Sequence, residues 1–141
     1  ALRADQGQVF AVEKKDDAVA LLYENKQRFA ADNLEIIKGE APEALKELPV
    51  PTHAFIGGSS GNLKEIVALL LEKNRDVRIV INCITLETIS EALEILKEYD
   101  FADQEAVQLT ASRSKEIGRY HLMMGENPIY IITCQSPRAQ I

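Results

Sequence analysis

Residues that hold metals and form disulfides are scarce in this sequence. It has two cysteines and two histidines in 141 residues, far apart along the chain. That spacing gives a structural zinc site little support. Cys83 and Cys134 each close an apolar run, so they read as reduced, buried thiols of a cytoplasmic protein rather than as a disulfide. No apolar run is long enough to cross a membrane, and no signal peptide is visible. Positive charge is also in short supply. Sixteen Lys and Arg against 22 Asp and Glu leave a net charge of -6, which argues against a general nucleic-acid binder with its basic face. There is no G-x-G-x-x-G, no P-loop lysine pattern and no Ser-His-Asp order. What remains is a chain with 46% hydrophobic and 27% charged residues, ordinary for a soluble globular protein and long enough for one domain with its own core.

The informative centre is Thr52 to Asn62. Ala54, Phe55 and Ile56 form an apolar run without alternation, which predicts a strand covered on both faces, as in a parallel sheet. Gly57, Gly58 and Gly61 follow with two serines between them, and glycine there permits positive φ or close approach to the backbone. Asn62 suits an N-cap and Glu65 completes the spacing of a capping box. Ligands of open parallel sheets sit beyond the carboxyl ends of the strands, so this turn is a candidate ligand site as well as a plain strand-to-helix connection.

Elsewhere strands and helices alternate. Gln8–Val12 reads as a short strand ending at Glu13, and Asp16 as the cap of a helix to about Phe29 with Ala18, Val19, Leu22 and Phe29 on one face. Asn33 punctuates before a strand at Leu34–Ile37. Pro42 suits the first turn of a short helix over Glu43–Leu48, closed by Pro49 and Pro51. Leu63, Ile66, Val67 and Leu70 form the buried stripe of the next helix. Val77–Cys83 is a strand, and Thr85 caps a helix whose predicted buried face is Leu86, Ile89, Leu93 and Leu96, ending near Tyr99 and Asp100. The alternation predicts βαβ units and a parallel sheet. At the end, Gln104–Ala111 alternates as a one-face-exposed strand, Ser112–Asn127 reads as a polar loop, and Pro128–Cys134 as a last strand, which together suggest an antiparallel hairpin added to the parallel sheet. No repeat or linker appears, so residues 1–141 read as one domain.

Several residues suit chemistry. Glu13, at a strand end, can accept both hydroxyls of a ribose, or be simply solvated. In Gly39-Glu40-Ala41-Pro42 the glycine allows a sharp turn, the Ala41 backbone precedes a helix start where it can meet a ligand edge, and Glu40 can accept from an amino group; a plain turn fits as well. Asn82 can bond a substrate or satisfy the turn before Thr85. Arg113, Lys115, Arg119 and His121 form the one cationic cluster, suited to an anionic substrate or to solvent, and His121 is a candidate acid or base.

Taken together, Val9-Phe10-Ala11-Val12-Glu13, Ile37-Lys38-Gly39-Glu40-Ala41-Pro42-Glu43-Ala44-Leu45, Phe55-Ile56-Gly57-Gly58-Ser59-Ser60-Gly61-Asn62, Ile81-Asn82-Cys83-Ile84-Thr85-Leu86-Glu87-Thr88 and the tail from Ser112-Arg113 to Asn127-Pro128 resemble the decarboxylating precorrin C5,15-methyltransferases, in particular the subunit or domain that methylates C15. The resemblance implies a Rossmann-like class I S-adenosylmethionine methyltransferase fold, mostly parallel, with strand order 3-2-1-4-5-7-6 and the last strand antiparallel. It implies S-adenosylmethionine as cofactor, Glu13 on its ribose, Gly39, Glu40 and Ala41 at its adenine, and Gly57 and Gly58 on the floor between cofactor and substrate. The implied substrate is a tetrapyrrole rich in acetate and propionate groups, with Asn82, Arg113, Arg119 and His121 as its candidate partners. No side-chain nucleophile is implied: a ring carbon takes the methyl group and the C12 acetate loses carbon dioxide. A homotetramer and a C5-methylating partner, separate or fused, are expected. Family members begin with a strand and a glycine-rich loop, whereas Ala1-Leu2-Arg3-Ala4 looks like the end of the helix that follows that loop. The expectation is therefore that the first strand and loop are missing from this chain. Glu13, Ala41 and Gly57 are expected on one rim of the sheet. Two other readings fit the residues: a class I methyltransferase acting on RNA or protein, and a non-catalytic domain serving oligomerisation.

Overall fold

The computed structural model describes residues 1–4, 6–59 and 61–137. Ser60, the second serine of the glycine-rich turn, lies outside them. The chain forms two compact units, Ala1–Pro49 and Val50–Ile141.

In the first unit, β1 (Val9–Glu13), α1 (Asp16–Arg28) and β2 (Leu34–Lys38) follow the expected order. β1 and β2 are parallel, with Val9 opposite Leu34 and Glu13 opposite Lys38. Helix α1 packs on β2 through half-buried Ala18, Val19 and Leu22. Phe29, expected on that stripe, is 53% exposed: the helix ends at Arg28, Phe29 is its C-cap, and the Arg28 guanidinium covers the ring at 5.7 Å. Asp16 is likewise not the cap. It is the first helical residue, Lys15 holds the cap position, and the Asp16 carboxylate pairs with Lys38 of β2. Acidic Asp16 and Asp17 suit the positive end of the helix. The Asn33 side-chain amide lies 3.1, 2.8 and 2.9 Å from the carbonyls of Ala1, Ala4 and Gly7, so this residue ties down the opening segment. Of the helix expected over Glu43–Leu48, only a 3-10 turn at Glu43–Leu45 forms. Leu48 donates back three residues to Leu45, and the prolines at 49 and 51 allow no further turn. The Ala41–Pro42 peptide bond is cis.

The second unit holds β3 (His53–Ile56), α2 (Leu63–Lys73), β4 (Arg78–Cys83), α3 (Leu86–Tyr99), β5 (Phe101–Leu109), β6 (Ser112–Ile117), β7 (Tyr120–Gly125) and β8 (Ile129–Pro137). Its four-stranded sheet has the order β3-β4-β8-β5. β3 and β4 are parallel, and β8 runs antiparallel to both of its neighbours. The two sheet orders reproduce the 3-2 and 4-5-7-6 portions of the expected class I order, including its antiparallel last strand. Alternation along β4 sends Ile79, Ile81 and Cys83 to one face, where the register places Cys134 and Ile132 of β8 beside them; all five are at most 2% exposed. Helix α3 packs on β4, β5 and β8, and α2 packs on α3. Leu63, Ile66, Val67 and Leu70 of α2 are buried as expected, with Leu71 added. Asn62 holds the N-cap position of α2, yet its side chain makes no cap bond; its φ of -110° and ψ of 25° are not the extended conformation that aims a capping oxygen at the helix.

Two expectations fail here. The fully buried face of α3 is Ala92, Ile95 and Tyr99; of the four residues expected there Ile89 and Leu96 are half-buried, whereas Leu86 is 80% and Leu93 48% exposed. The roll of the helix is set at its C-terminal end: Asp100 turns the chain in the left-handed region directly into β5, and the Tyr99 ring meets buried Phe101 at 5.9 Å, which draws the Tyr99 stripe inward. The supposed polar loop over Ser112–Asn127 is the β6–β7 hairpin, paired from Ser112 opposite Gly125 to Ile117 opposite Tyr120. Gly118 takes φ +61° at the first central position of its turn, which a two-residue hairpin loop reserves for glycine.

Candidate functional site

In each unit some of the predicted residues lie at the carboxyl ends of parallel strands. In the first, Glu13 is the last residue of β1 and Gly39, Glu40 and Ala41 follow β2 directly. Gly39 N donates to the Glu13 carbonyl at 3.0 Å, which joins the two strand ends. The half-buried Glu13 carboxylate is oriented by its own chain: Oε1 accepts from Lys14 N at 2.8 Å and Lys15 N at 2.9 Å. Glu40 is paired with Lys14 Nζ at 2.9 Å. Lys14 was not singled out from the sequence, although its place after Glu13 was the available signal. Gly39 has a packing reason to be glycine, since a Cβ there would stand 2.8 Å from Ala44 Cβ.

In the second unit, the turn after β3 and the end of β4 border a cavity of about 340 Å³ lined by Gly57, Gly58, Asn82 and Thr85 among others. At Gly57 an added Cβ would meet the Phe55 ring at 3.2 Å, and at Gly58 it would meet nothing within 4 Å. Asn82 does not satisfy the turn before Thr85. Its Oδ1 is buried and without a hydrogen-bond partner among the described residues, while Thr85 closes that turn itself, its Oγ1 accepting from Thr88 N at 3.2 Å. Glu87 and Glu91 also line the cavity, and Glu91 Oε1 accepts from Lys64 N at 3.3 Å. The sequence analysis missed both carboxylates; their spacing of four places them on one side of α3, next to the Asn82–Thr85 turn.

The cationic residues lie on the β6–β7 hairpin, all exposed. Arg113 pairs with Glu126 at 3.1 Å. Arg119 lies over the Tyr120 ring at 5.3 Å and donates to its hydroxyl at 3.1 Å. His121 is opposite Glu116 in the register, Lys115 opposite Leu122 and Arg113 opposite Met124. Alternation therefore puts Arg113 and Lys115 on one face and His121 on the other, so the hairpin does not bring Arg113 and His121 together. Cys83 and Cys134 are free, buried thiols, and burial raises both, Cys134 to about 11. Among the described residues no group of His, Cys, Asp or Glu is placed to hold a metal ion, and no helix is long and apolar enough to cross a membrane.

Residues 1–135 match the precorrin methyltransferase domain family. A protein of Pyrobaculum calidifontis named as a probable cobalt-precorrin-6B C(15)-methyltransferase (decarboxylating) is 35% identical over 133 residues, which are 94% of this chain and 68% of that protein. Among solved structures, the precorrin-6y C5,15-methyltransferase from Geobacter metallireducens aligns with a TM-score of 0.82 and 32% identity over 92% of this chain and 68% of its own. The precorrin 8W decarboxylase of Methanobacterium thermoautotrophicum aligns at 0.80 and 33%, over 90% of this chain and 69% of its own.

Proposed function

The chain belongs to the precorrin methyltransferase family, and on that footing we propose that it methylates C15 of a precorrin or cobalt-precorrin with S-adenosylmethionine, coupled to loss of carbon dioxide from the C12 acetate, in cobalamin biosynthesis. The observation that carries this reading is 35% identity, across 94% of the chain, to a relative that bears the name of that reaction. The residues fit an adenosyl cofactor at two points. A half-buried carboxylate at the end of β1, held by two backbone N–H groups, suits a pair of ribose hydroxyls. The Gly58 backbone, where a Cβ would meet nothing, admits a ligand at close range.

S-adenosylmethionine, when bound, supplies an electrophilic methyl group. The chain's own residues bind and orient. Glu13 takes the ribose, the backbone of Gly39 and Ala41 meets adenine with Glu40 beside it, and Gly57 and Gly58 line the floor under the methyl donor. Asn82, Arg113 and Arg119 are the proposed contacts for the tetrapyrrole, with Lys115 on the same hairpin face as Arg113 and His121 on the other. Catalysis then rests on holding carbon and methyl group in line and excluding water, a term that in favourable cases removes about 7–11 kcal/mol of a barrier. The protein acts in the cytoplasm as a homotetramer, alongside a C5-methylating subunit or domain.

The test is product analysis with methyl-labelled S-adenosylmethionine and cobalt-precorrin-6B. Methyl incorporation and carbon dioxide release in equal amounts are expected. Methylation without decarboxylation, or labelling of RNA or protein instead, overturns the reading.

A further inference from the structure

The cavity of about 340 Å³ beyond the ends of β3 and β4 is lined by glycines, by hydroxyl side chains and by Glu87 and Glu91, with no Lys, Arg or His among its described lining residues. One large aliphatic side chain stands among them, Ile84. Ile84 directly follows β4 and is 54% exposed, so a ligand in the cavity can reach it. Leu86, two residues on, is 80% exposed and lies outside the buried face of α3. Thr85 between them closes the helix through its bond from Thr88 N, so the turn keeps its shape without burying either chain. A single exposed aliphatic residue is ordinary. Two of them flanking a capped turn, at the end of a parallel strand where ligands bind, make an apolar surface for a ligand to cover.

The charges decide which part of a ligand covers it. Glu87 and Glu91 form no ion pair among the described residues. Lys64, whose backbone N–H reaches Glu91, has its ammonium on Glu98. The N-terminus of α3, which on its own draws anions, already has the Thr85 cap and Glu87 in its first turn. An approaching carboxylate therefore meets two like charges without a cation beside them, whereas an uncharged apolar surface meets Ile84.

We infer that Ile84, extended by Leu86, is a specificity residue: it seats the uncharged face of the tetrapyrrole ring, while Glu87 and Glu91 turn the acetate and propionate groups of that ring away from the cavity. This rests on the methyl transfer proposed above and adds the orientation of its substrate.

The experiment compares wild type with Ile84→Ala, Ile84→Leu, Leu93→Ala and the double variant Glu87→Gln/Glu91→Gln. Steady-state methyl transfer to cobalt-precorrin-6B is measured, with titration calorimetry of S-adenosylmethionine alongside. Ile84→Ala is expected to raise KM for the tetrapyrrole about five- to tenfold, with kcat and the affinity for S-adenosylmethionine unchanged. Ile84→Leu restores the aliphatic volume and stays near wild type. Leu93, 48% exposed and not among the lining residues, is the control, and its truncation leaves both constants unchanged. In the double glutamine variant the acidic groups can enter, so kcat and KM fall together by about threefold, the mark of substrate bound the wrong way round. An unchanged KM in Ile84→Ala, or a rise matched by Leu93→Ala, overturns the inference. A loss confined to S-adenosylmethionine assigns the cavity to the methyl donor and overturns it as well. Unchanged constants in the double variant overturn the orientation by charge. A wild-type protein that transfers no methyl group to the tetrapyrrole overturns the proposed function, and this inference with it.

Discussion

Gly39 offers a direct separation of packing from ligand binding. It belongs to the turn assigned to adenine, yet a Cβ at this position would stand 2.8 Å from Ala44 Cβ, where carbon atoms prefer about 3.5–4.0 Å. Neither carbon can escape by a rotamer change, because both are Cβ atoms. Ala44 is also held in its tight turn, with Ala44 N donating to Glu40 O at 2.9 Å and Leu45 N to Pro42 O at 2.9 Å. The backbone must therefore shift by about 1 Å, and overpacking of this kind costs about 1–3 kcal/mol. For a chain of 141 residues, each kcal/mol moves the melting point by about 3 °C, so Gly39→Ala is expected to melt about 3–9 °C lower. Ala44→Gly alone costs roughly 0.5–1 kcal/mol, but it removes the obstructing methyl. The double variant should recover most of the Gly39→Ala loss, with a coupling of about 1–2 kcal/mol. Thermal melting and amide hydrogen exchange of β1 and β2 read the stability, and calorimetry with S-adenosylmethionine is run in parallel. A Gly39→Ala protein that melts with the wild type, or one that Ala44→Gly fails to rescue, refutes the packing argument. Unchanged stability with lost affinity would place the reason for this glycine in the ligand.

Thr85→Ala removes the cap bond to Thr88 N and should cost about 1 kcal/mol in urea unfolding, with Thr85→Ser close to wild type. Ile81→Ala, at 1% exposure, should cost about 2–5 kcal/mol, whereas Leu86→Ala, at 80% exposure, should stay within about 0.5 kcal/mol; comparable losses would contradict the observed roll of α3. Burial holds the Cys134 thiol at about 11, above its model-compound value of 9.0. The folded state therefore keeps a proton that the unfolded state releases, so this contribution is complete below about pH 9 and is lost as the pH rises to about 11. The unfolding midpoint of wild type should fall more steeply over that window than that of Cys134→Ala, and thiol labelling at pH 8 should require unfolding. Glu13→Ala should weaken S-adenosylmethionine by about 1–3 kcal/mol, the cost of unpaired buried hydroxyls; an unchanged affinity removes Glu13 from the ribose.

Elements whose signal is local were legible in the sequence. The strand ends at Glu13 and Cys83 and the Thr85 cap all follow from a run, a turn residue or a short hydrogen bond. What was not legible depends on distant partners. Helix α3 offers two adjoining apolar stripes, and periodicity alone ranks Leu86, Ile89, Leu93 and Leu96 ahead of Ala92, Ile95 and Tyr99. The choice is made by the contact of Tyr99 with Phe101 across the Asp100 turn. Phe29 was misread for a related reason, since no local residue announces that α1 stops one position earlier. Gly39 shows a third limit: a motif glycine invites a ligand explanation, and only coordinates reveal Ala44 behind it.

The hairpin carries this argument to the substrate contacts. Arg113, Lys115, Arg119 and His121 read as one cluster because they are close in sequence, and a loop would let them converge. Once Ser112–Ile117 and Tyr120–Gly125 are paired strands, side-chain direction obeys a period of two. Arg113 and Lys115 share a face with Leu122 and Met124, while His121 shares the other with Glu116. A single bound anion can then engage the arginine side or the histidine side of the hairpin, but not both. On the arginine side the guanidinium must first leave Glu126, a pair with side chains 83% and 53% exposed that holds it by about 0–1 kcal/mol in water. On the other side, Glu116 stands across from the imidazole and opposes an incoming carboxylate. Charge and geometry thus both favour the Arg113–Lys115 face for the tetrapyrrole's carboxylates. Reversing Lys115 to Glu should raise KM for the tetrapyrrole, whereas His121→Gln should leave it near the wild-type value.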